Sequence, residues 1–465
     1  MILILAWRSL RSRPIRTAVL AGGFGLGVAV MAALLGVAAV ILEQARAPVQ
    51  VGGGDVIVGG AAGRLSNARF VLSSVLGDGP LARRVGAASP TERTTLYLVD
   101  GSGATTPVRA RGGIPSLERA IHDPETSVVS GWSDTPADHA WAAPDPQDVL
   151  LAMDRFHPVP DVPARAASWA EWLYFNGHTG DSGFYLTFLA GPELPSGRRR
   201  VGVRLQLDRG GRMTSYSDSA EVDGDELLAT APNLTVGKNH VRLVGREYHV
   251  TIDLPAEDGP ARAAGELVIG ATPRRSLPPL VIRGAAGWVS GYVVPVMSGT
   301  LQGAIQVDRD RIGFDGGSGY HDHNWGFWEG VSWQWGQVQG NGLSFVYGRV
   351  HPPADAADAS RVPAFLMALG PDGPLGYATD VTIDETNRAG TDSPERIVVR
   401  GRSDSVQLTL DMEIAQTTVT RPRAGSFGAS LDFLQLRAQY HVSGRVGDTP
   451  FDFRAPGSAE TFRGR

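Results

Sequence analysis

Period-two alternation recurs through the C-terminal two thirds of this chain and confines it to a mainly antiparallel β architecture. Val201, Val203, Leu205 and Leu207 share one face of an extended segment, while Arg204, Gln206 and Asp208 share the other. The scheme repeats at Val406, Leu408, Leu410, Met412 and Ile414, and again at Leu434, Leu436, Ala438, Tyr440 and Val442. Side chains alternate across a strand, so each run buries one face and leaves the other polar. Turn signals such as Asp208-Arg209-Gly210-Gly211 and Pro371-Asp372-Gly373 separate the runs, and 59 Gly and 31 Pro fit a turn-rich sandwich or barrel. There are enough runs for two such units, residues 167–335 and 336–465, with the seam expected near Trp335. Residues 132–166 are rich in Ala, Pro and Asp without a period, which predicts a linker.

Several function classes drop out on composition and motif. A net charge of -5 over 465 residues gives no electrostatic footprint for nucleic acid. The absence of Cys removes disulfides, zinc-thiolate sites and thiol nucleophiles. Gly237-Lys238-Asn239 lacks the glycine spacing and hydroxyl residue of a phosphate-binding loop, and Gly316-Gly317-Ser318-Gly319 is no nucleophile elbow. No dinucleotide fingerprint follows a strand. Carboxylate pairs for glycosidic cleavage stay open, since their separation in space is invisible in a sequence.

At the N-terminus, Thr17 to Leu42 carries no charged residue. As a helix it would reach about 39 Å, enough for a hydrocarbon core of roughly 30 Å. Arg8, Arg11, Arg13 and Arg16 precede it. The positive-inside bias then predicts a cytoplasmic segment 1–16, a transmembrane helix 17–42, and the bulk of the chain outside a bacterial cytoplasmic membrane in a single-pass arrangement. The string Leu5-Ala6-Trp7-Arg8-Ser9-Leu10-Arg11-Ser12-Arg13-Pro14, with Val51-Gly52-Gly53-Gly54-Asp55-Val56-Ile57-Val58 as a first strand, resembles the opening of ABC-exporter permeases of the macrolide-exporter and lipoprotein-releasing type. That likeness covers about the first 125 residues and implies a permease-like extracytoplasmic segment over 43–131. No second apolar stretch of spanning length follows, which excludes a complete permease.

The densest chemistry lies in Gly319-Tyr320-His321-Asp322-His323-Asn324-Trp325-Gly326, followed by Trp328, Trp333 and Trp335, so that four of the ten Trp fall within residues 325–335. On a strand, His321 and His323 face one way and Asp322 and Asn324 the other. The His pair at i and i+2 suits a metal only with a third ligand, and nothing in the spacing selects His178 or His351 for that part, so no metal is expected. A capping role for the His and Asn side chains is the alternative to a pocket lining. A second cluster, Trp169 through His178, places Trp172 and Tyr174 on one side of a strand and Glu171, Leu173 and Phe175 on the other.

Glu171-Trp172-Leu173-Tyr174-Phe175-Asn176-Gly177-His178, Gly291-Tyr292-Val293-Val294-Pro295-Val296-Met297 with Gly303, and Gly319 through Gly326 together resemble the lipocalin-like family of carotenoid 1,2-hydratases (hydroxyneurosporene synthases) and AttH proteins, over about residues 165–465. The resemblance implies two consecutive calycin-type β units with a hydrophobic cavity near their interface. It suggests Asp322 as an acid, His323 or His321 as the group that orients or deprotonates water, and Trp325 as a π wall for a carbocation. Tyr174, Trp172, Tyr320, Asn324, Trp328, Trp335 and His178 complete the expected ligand wall, and no cofactor is required. The hydratase pattern carries Tyr-x-Asp on the following strand, where this chain has Tyr347-Gly348-Arg349. A cation at that place lowers the pKa of a nearby carboxyl and argues against hydration. The leading expectation is therefore a membrane-anchored protein that holds a lipophilic molecule (a polyene, terpenoid or lipid) for an ABC permease and ATPase. The alternative is an enzyme that hydrates or isomerises an alkene of such a molecule.

Overall fold

The computed structural model describes residues 84–464 apart from 124–125, 127–128, 144, 273–274, 372, 405 and 422–430, and a few earlier positions: 12, 14, 15, 17, 31, 56–59, 68, 71 and 72. Most of the expected spanning segment 17–42 and of the permease-like string lies outside the described residues. Among the described residues no helix is long and apolar enough to cross a membrane, so the expected single-pass membrane placement is not supported. Val56, Ile57 and Val58 are described and form no strand.

The chain divides into two compact units, and Ala87–His139 forms most of the described part of the first. Here β1 (Thr91–Val99) and β2 (Thr105–Gly113) make an antiparallel hairpin, followed by helix α1 (Pro115–Ala120). The buried Glu118 of that helix pairs with Arg111, which also holds Asp123 at 2.7 Å.

The second unit includes Ala140–Arg465 and carries both large sheets. Its first sheet contains β3 (Trp169–Thr179), β4 (Ser182–Glu193), β5 (Arg198–Arg209), β6 (Arg212–Asp223), β7 (Leu234–Val236), β8 (Asn239–Val244), β9 (Glu247–Pro255), β10 (Arg262–Ala271), β11 (Leu277–Arg283), β12 (Val289–Val307), β13 (Asp310–Gly313) and β14 (Gly317–Phe327). The order is β6-β5-β4-β3-β14-β12-β10-β9-β8-β7, with β11 and β13 pairing with β12. A bridge between Tyr216 and Ala256 brings the β6 side round to the end of β9, so the sheet curls towards a barrel. The long strand β12 has two register shifts against β14. Gly303 has φ +107°, and a Cβ there would fall 2.1 Å from the Glu266 carbonyl, so only glycine serves at this crossing.

The second sheet runs β18-β17-β16-β15-β23-β22-β21-β20-β19. Its strands are β15 (Ser332–Gly340), β16 (Leu343–His351), β17 (Phe365–Gly370), β18 (Gly373–Ala378), β19 (Asp380–Asn387), β20 (Pro394–Arg402), β21 (Val406–Thr420), β22 (Leu431–Val446) and β23 (Thr449–Gly464). The described chain is mainly β, and a barrel-like sheet beside a half-barrel fits lipocalin-like folds. The seam lies between Phe327 and Ser332, a few residues before Trp335, because Trp333 and Trp335 already belong to the second sheet.

Three apolar cores result. One fills the first sheet's concavity with Leu173, Phe175, Leu205 and Val250, and another fills the second with Phe345, Leu408, Leu436 and Val442. The third lies between the sheets and holds Trp172, Tyr174, Trp328, Trp333 and Trp335. Each such side chain contributes about 1.5–3 kcal/mol on burial. Val201, Val203, Leu205 and Leu207 are fully buried as their spacing predicts, yet Gln206 and Asp208 on the polar side are buried too. Asp208 pairs with Arg437 at 3.1 Å and Arg204 reaches Thr420 at 2.6 Å, so the second sheet covers this face.

The expected linker 132–166 is partly helical. It carries α2 (Pro136–Ala142) and α3 (Pro146–Asp154), the latter capped by Asp145 accepting from the Gln147 amide. Leu150, Met153 and Asp154 are buried. Apolar residues at helical spacing dock α3 on the barrel despite the linker-like composition around it.

Candidate functional site

Strand β14 positions the site because it is central, flanked by β3 and β12. Asp322 lies opposite Tyr174 and Asn324 opposite Trp172, whereas His321 and His323 lie opposite Phe175 and Leu173. Alternation sends the first group towards the second sheet and the second into the first barrel.

The space between the sheets is a cavity of about 90 Å³ that opens to solvent. Trp172, Tyr174, Trp328, Trp333, Trp335 and Phe365 give it aromatic walls, and Leu280 and Ile282 add aliphatic surface. Asp322, Asn324, Tyr292, Ser290 and Glu460 bring polar groups to it, and Gln334 and Arg349 border it. Trp335 and Glu460 are direct partners across β15 and β23, which puts both on the cavity side. A hydrogen-bond chain runs to Asp322: Trp335 Nε1 donates to Tyr292 Oη at 2.9 Å, Tyr292 and Tyr320 hydroxyls are 2.8 Å apart, and Tyr320 donates to Asp322 Oδ2 at 2.9 Å. Asn324 Nδ2 donates to Asp322 Oδ1 at 2.9 Å. With the single hydroxyl proton of Tyr320 directed at Asp322, Tyr292 is the donor to Tyr320, and the chain points at the carboxyl.

Electrostatics then favour a neutral Asp322. Burial, followed by the charge of Glu460, pushes its carboxyl well above the usual range, and these outweigh the donors from Tyr320 and Asn324. Burial first and the Asp322 charge second push Tyr320 and Tyr292 well above their ordinary value, which keeps both phenols as donors. Glu460 is raised by burial to about 7. The pair thus combines an Asp322 biased towards its protonated form with a Glu460 close to its titration point near neutrality, two roles set by environment.

The Glu460 shift has a measurable effect on stability. Its neutral form is the one the fold favours, so that contribution is complete below pH about 4.5 and is lost as pH rises through about 7. The rise corresponds to about 3 kcal/mol. Urea unfolding between pH 5 and 8 is expected to show Glu460→Gln gaining on the unaltered chain as pH rises; parallel curves would refute the assignment.

The opposite face of β14 holds a closed ionic cluster. His321 Nε2 is 2.8 Å from Asp154 Oδ2 and its Nδ1 is 2.9 Å from the Tyr174 carbonyl. Tyr248 also donates to Asp154. His323 Nε2 lies 2.9 Å from Glu171 Oε1, and its Nδ1 is 3.5 Å from Asp154 Oδ1. Glu171 takes the His157 backbone amide at 2.9 Å and the His157 ring at 2.7 Å. Burial opposes charge here, but Asp154 and Glu171 overcome it and pull His323 up to about 9. Likewise, against burial, His321 and His323 hold Asp154 well below the usual carboxylate range. His157, Glu171 and His323 each place a ligand-type atom within 4.8 Å of the others. His323 Nε2 is within hydrogen-bond reach of Glu171, while its Nδ1 and Asp154 Oδ1, 3.5 Å apart, have no hydrogen-bond partner.

Of the residues expected to form one site, the structure brings Asp322, Asn324, Trp172, Tyr174, Trp328 and Trp335 to the cavity, with Tyr320 directly behind Asp322. His321 and His323 point away from it, which corrects their expected place in the same pocket. Trp325 stacks on His157 with centroids 4.2 Å apart. His178 sits at the end of β3 opposite Ser318, its imidazole lowered by burial. Tyr347 packs in the second sheet's interior, its hydroxyl 3.6 Å from Met412 Sδ. Glu460, Tyr292, Asp154 and His157 carry no signal in the sequence that marks them as site residues. Tyr292 stands within the Gly291-to-Met297 string, whereas Glu460 lies in Ser458-Ala459-Glu460-Thr461, which carries no motif.

No protein-family model and no curated protein matches the chain. Among solved structures, a kievitone hydratase from Nectria haematococca is similar at 11% identity, over 64% of this chain and 89% of that one, with a TM-score of 0.43. CghA, solved with Sch210972, is similar at 10% identity over 66% of this chain and 94% of that one, with a TM-score of 0.41. By its own sheets and cavity, the chain defines a mainly β, lipocalin-like protein with two buried carboxyl groups facing an aromatic cavity.

Proposed function

We propose that the cavity binds a lipophilic alkene and that Asp322 protonates it, so that the protein acts as a cofactor-independent hydratase. The observation that carries this reading is a buried carboxyl group at the end of an oriented donor chain, inside an aromatic cavity that a second buried carboxyl group also lines. The Asp322 proton goes to one alkene carbon as the π bond breaks, leaving a carbocation at its neighbour. Trp172, Tyr174, Trp333 and Trp335 present π surface to that cation. Water adds to the cation, and Glu460 as carboxylate takes the proton released from it. The proton balance closes when Asp322 regains a proton and Glu460 loses one to solvent. Arg349 borders the same cavity, yet burial and Glu460 set the protonation of Asp322.

The test is incubation of the full chain with acyclic terpenoid polyenes in deuterium oxide and, separately, in ¹⁸O-water. The reading requires carbon-bound deuterium together with ¹⁸O in the product, read by mass spectrometry. Deuterium without ¹⁸O identifies a double-bond isomerase built on the same proton transfer. Tight binding with neither label leaves a lipophile carrier and rejects the catalytic role.

A further inference from the structure

We propose that His157, Glu171 and His323 bind one divalent transition-metal ion of the zinc type, on the face of β14 turned away from the cavity. The inference stands apart from the hydration reading, because an ion held there touches neither Asp322 nor the cavity wall. Of the two β14 histidines only His323 takes part, since Asp154 and the Tyr174 carbonyl occupy both nitrogens of His321. The fold supplies the donors that sequence spacing does not: Glu171 comes from β3 and His157 from the segment after α3. Two imidazole nitrogens and a carboxylate suit zinc and its neighbours, whereas Ca²⁺ and Mg²⁺ take oxygen ligands.

The donors are held in place by their surroundings. The His157 backbone amide donates to both Glu171 oxygens, at 3.0 and 2.9 Å, which fixes the carboxylate. Trp325 stacks on the His157 ring with centroids 4.2 Å apart and orients it. His323 Nδ1 and Asp154 Oδ1 are buried and 3.5 Å apart, and neither has a hydrogen-bond partner. A metal on His323 Nε2 leaves the single ring proton on Nδ1, aimed at Asp154, and such a carboxylate behind the imidazole is how ligating histidines are commonly oriented. Charge agrees with this: a dication among neutral imidazoles balances the two buried carboxylates, Asp154 and Glu171. In the metal-free protein protons hold the same positions, so binding displaces the proton between His323 Nε2 and Glu171. His323 and Glu171 are fully buried, but the His157 side chain is 39% exposed, which gives an ion its way in.

Isothermal titration of the full chain, first stripped with a chelator, with Zn²⁺ tests the site. One tightly held ion per chain is expected, and His157→Ala should weaken that binding at least about 100-fold. Circular dichroism of the variant verifies that it is folded. Co²⁺ supplies a second readout that needs no variant: bound through imidazole nitrogen and carboxylate oxygen, it should absorb visible light more strongly than the aqueous ion, and Zn²⁺ should abolish the band by displacing it. Absence of tight Zn²⁺ binding, an affinity unchanged in folded His157→Ala, or Co²⁺ that keeps the spectrum of its aqueous ion overturns the site and leaves the proposed hydration untouched.

Discussion

Asp322→Asn is expected to lower product formation at least about 100-fold, the ordinary worth of a positioned general acid, while leaving polyene affinity unchanged. The two effects separate because burial biases the native carboxyl towards its neutral form. An amide has nearly the same shape and no charge, and its oxygen still accepts from Tyr320. What it lacks is a transferable proton. The loss should therefore appear equally in kcat and kcat/KM, the signature of an interaction used in the transition state alone. Stability should hold or rise, since burying an amide avoids the coupling to Glu460. Steady-state rates of deuterium incorporation and equilibrium titration with the same polyene measure the two quantities. Undiminished incorporation would remove Asp322 as the acid, and a parallel loss of affinity would make it a binding group instead.

Alternation along the sequence makes the two faces of β14 legible, and it separates Asp322 and Asn324 from the histidines correctly. It is silent on what each face meets. The imidazoles look like the proton-handling groups because they are the residues that titrate near neutrality. Their actual partners are Asp154 and Glu171, and Asp154, like the His157 that shares Glu171, comes from a segment whose Ala, Pro and Asp content reads as linker. The docked side of α3 rests on Leu150 and Met153, too short an apolar signal to stand out. Glu460 is hidden for another reason: it reaches the cavity through pairing of β23 with β15, more than a hundred residues away in sequence. Sheet order of that kind is not encoded in local periodicity. Gln206 and Asp208 show the same limit, since their strand has a polar face that a second sheet happens to cover.

Removing His323 tests the other face, and the expected result is a fold penalty. His323→Ala should destabilise the protein by about 3–5 kcal/mol at pH 7, because Asp154 and Glu171 remain buried and lose their shared cation. Against a usual margin of roughly 5–15 kcal/mol that is a large fraction. The pH dependence identifies the cause. An imidazole raised to about 9 contributes stability that is complete below pH about 6.5 and is lost as pH rises through about 9. Asp154 and Glu171, both lowered, contribute stability that is present above the ordinary carboxylate range and lost on acidification. The alkaline limb should vanish in His323→Ala, and carrying out the comparison in Glu460→Gln removes the overlapping limb near pH 7. Tryptophan-detected unfolding in urea from pH 5 to 10 reads both. If His323→Ala instead folds with native stability and stops product formation, the imidazole belongs to the chemistry and the ionic cluster is not a lock; if it loses stability while the surviving folded fraction still incorporates deuterium at the native rate, the histidines serve to fasten residues 154–157 to the barrel wall behind the acid.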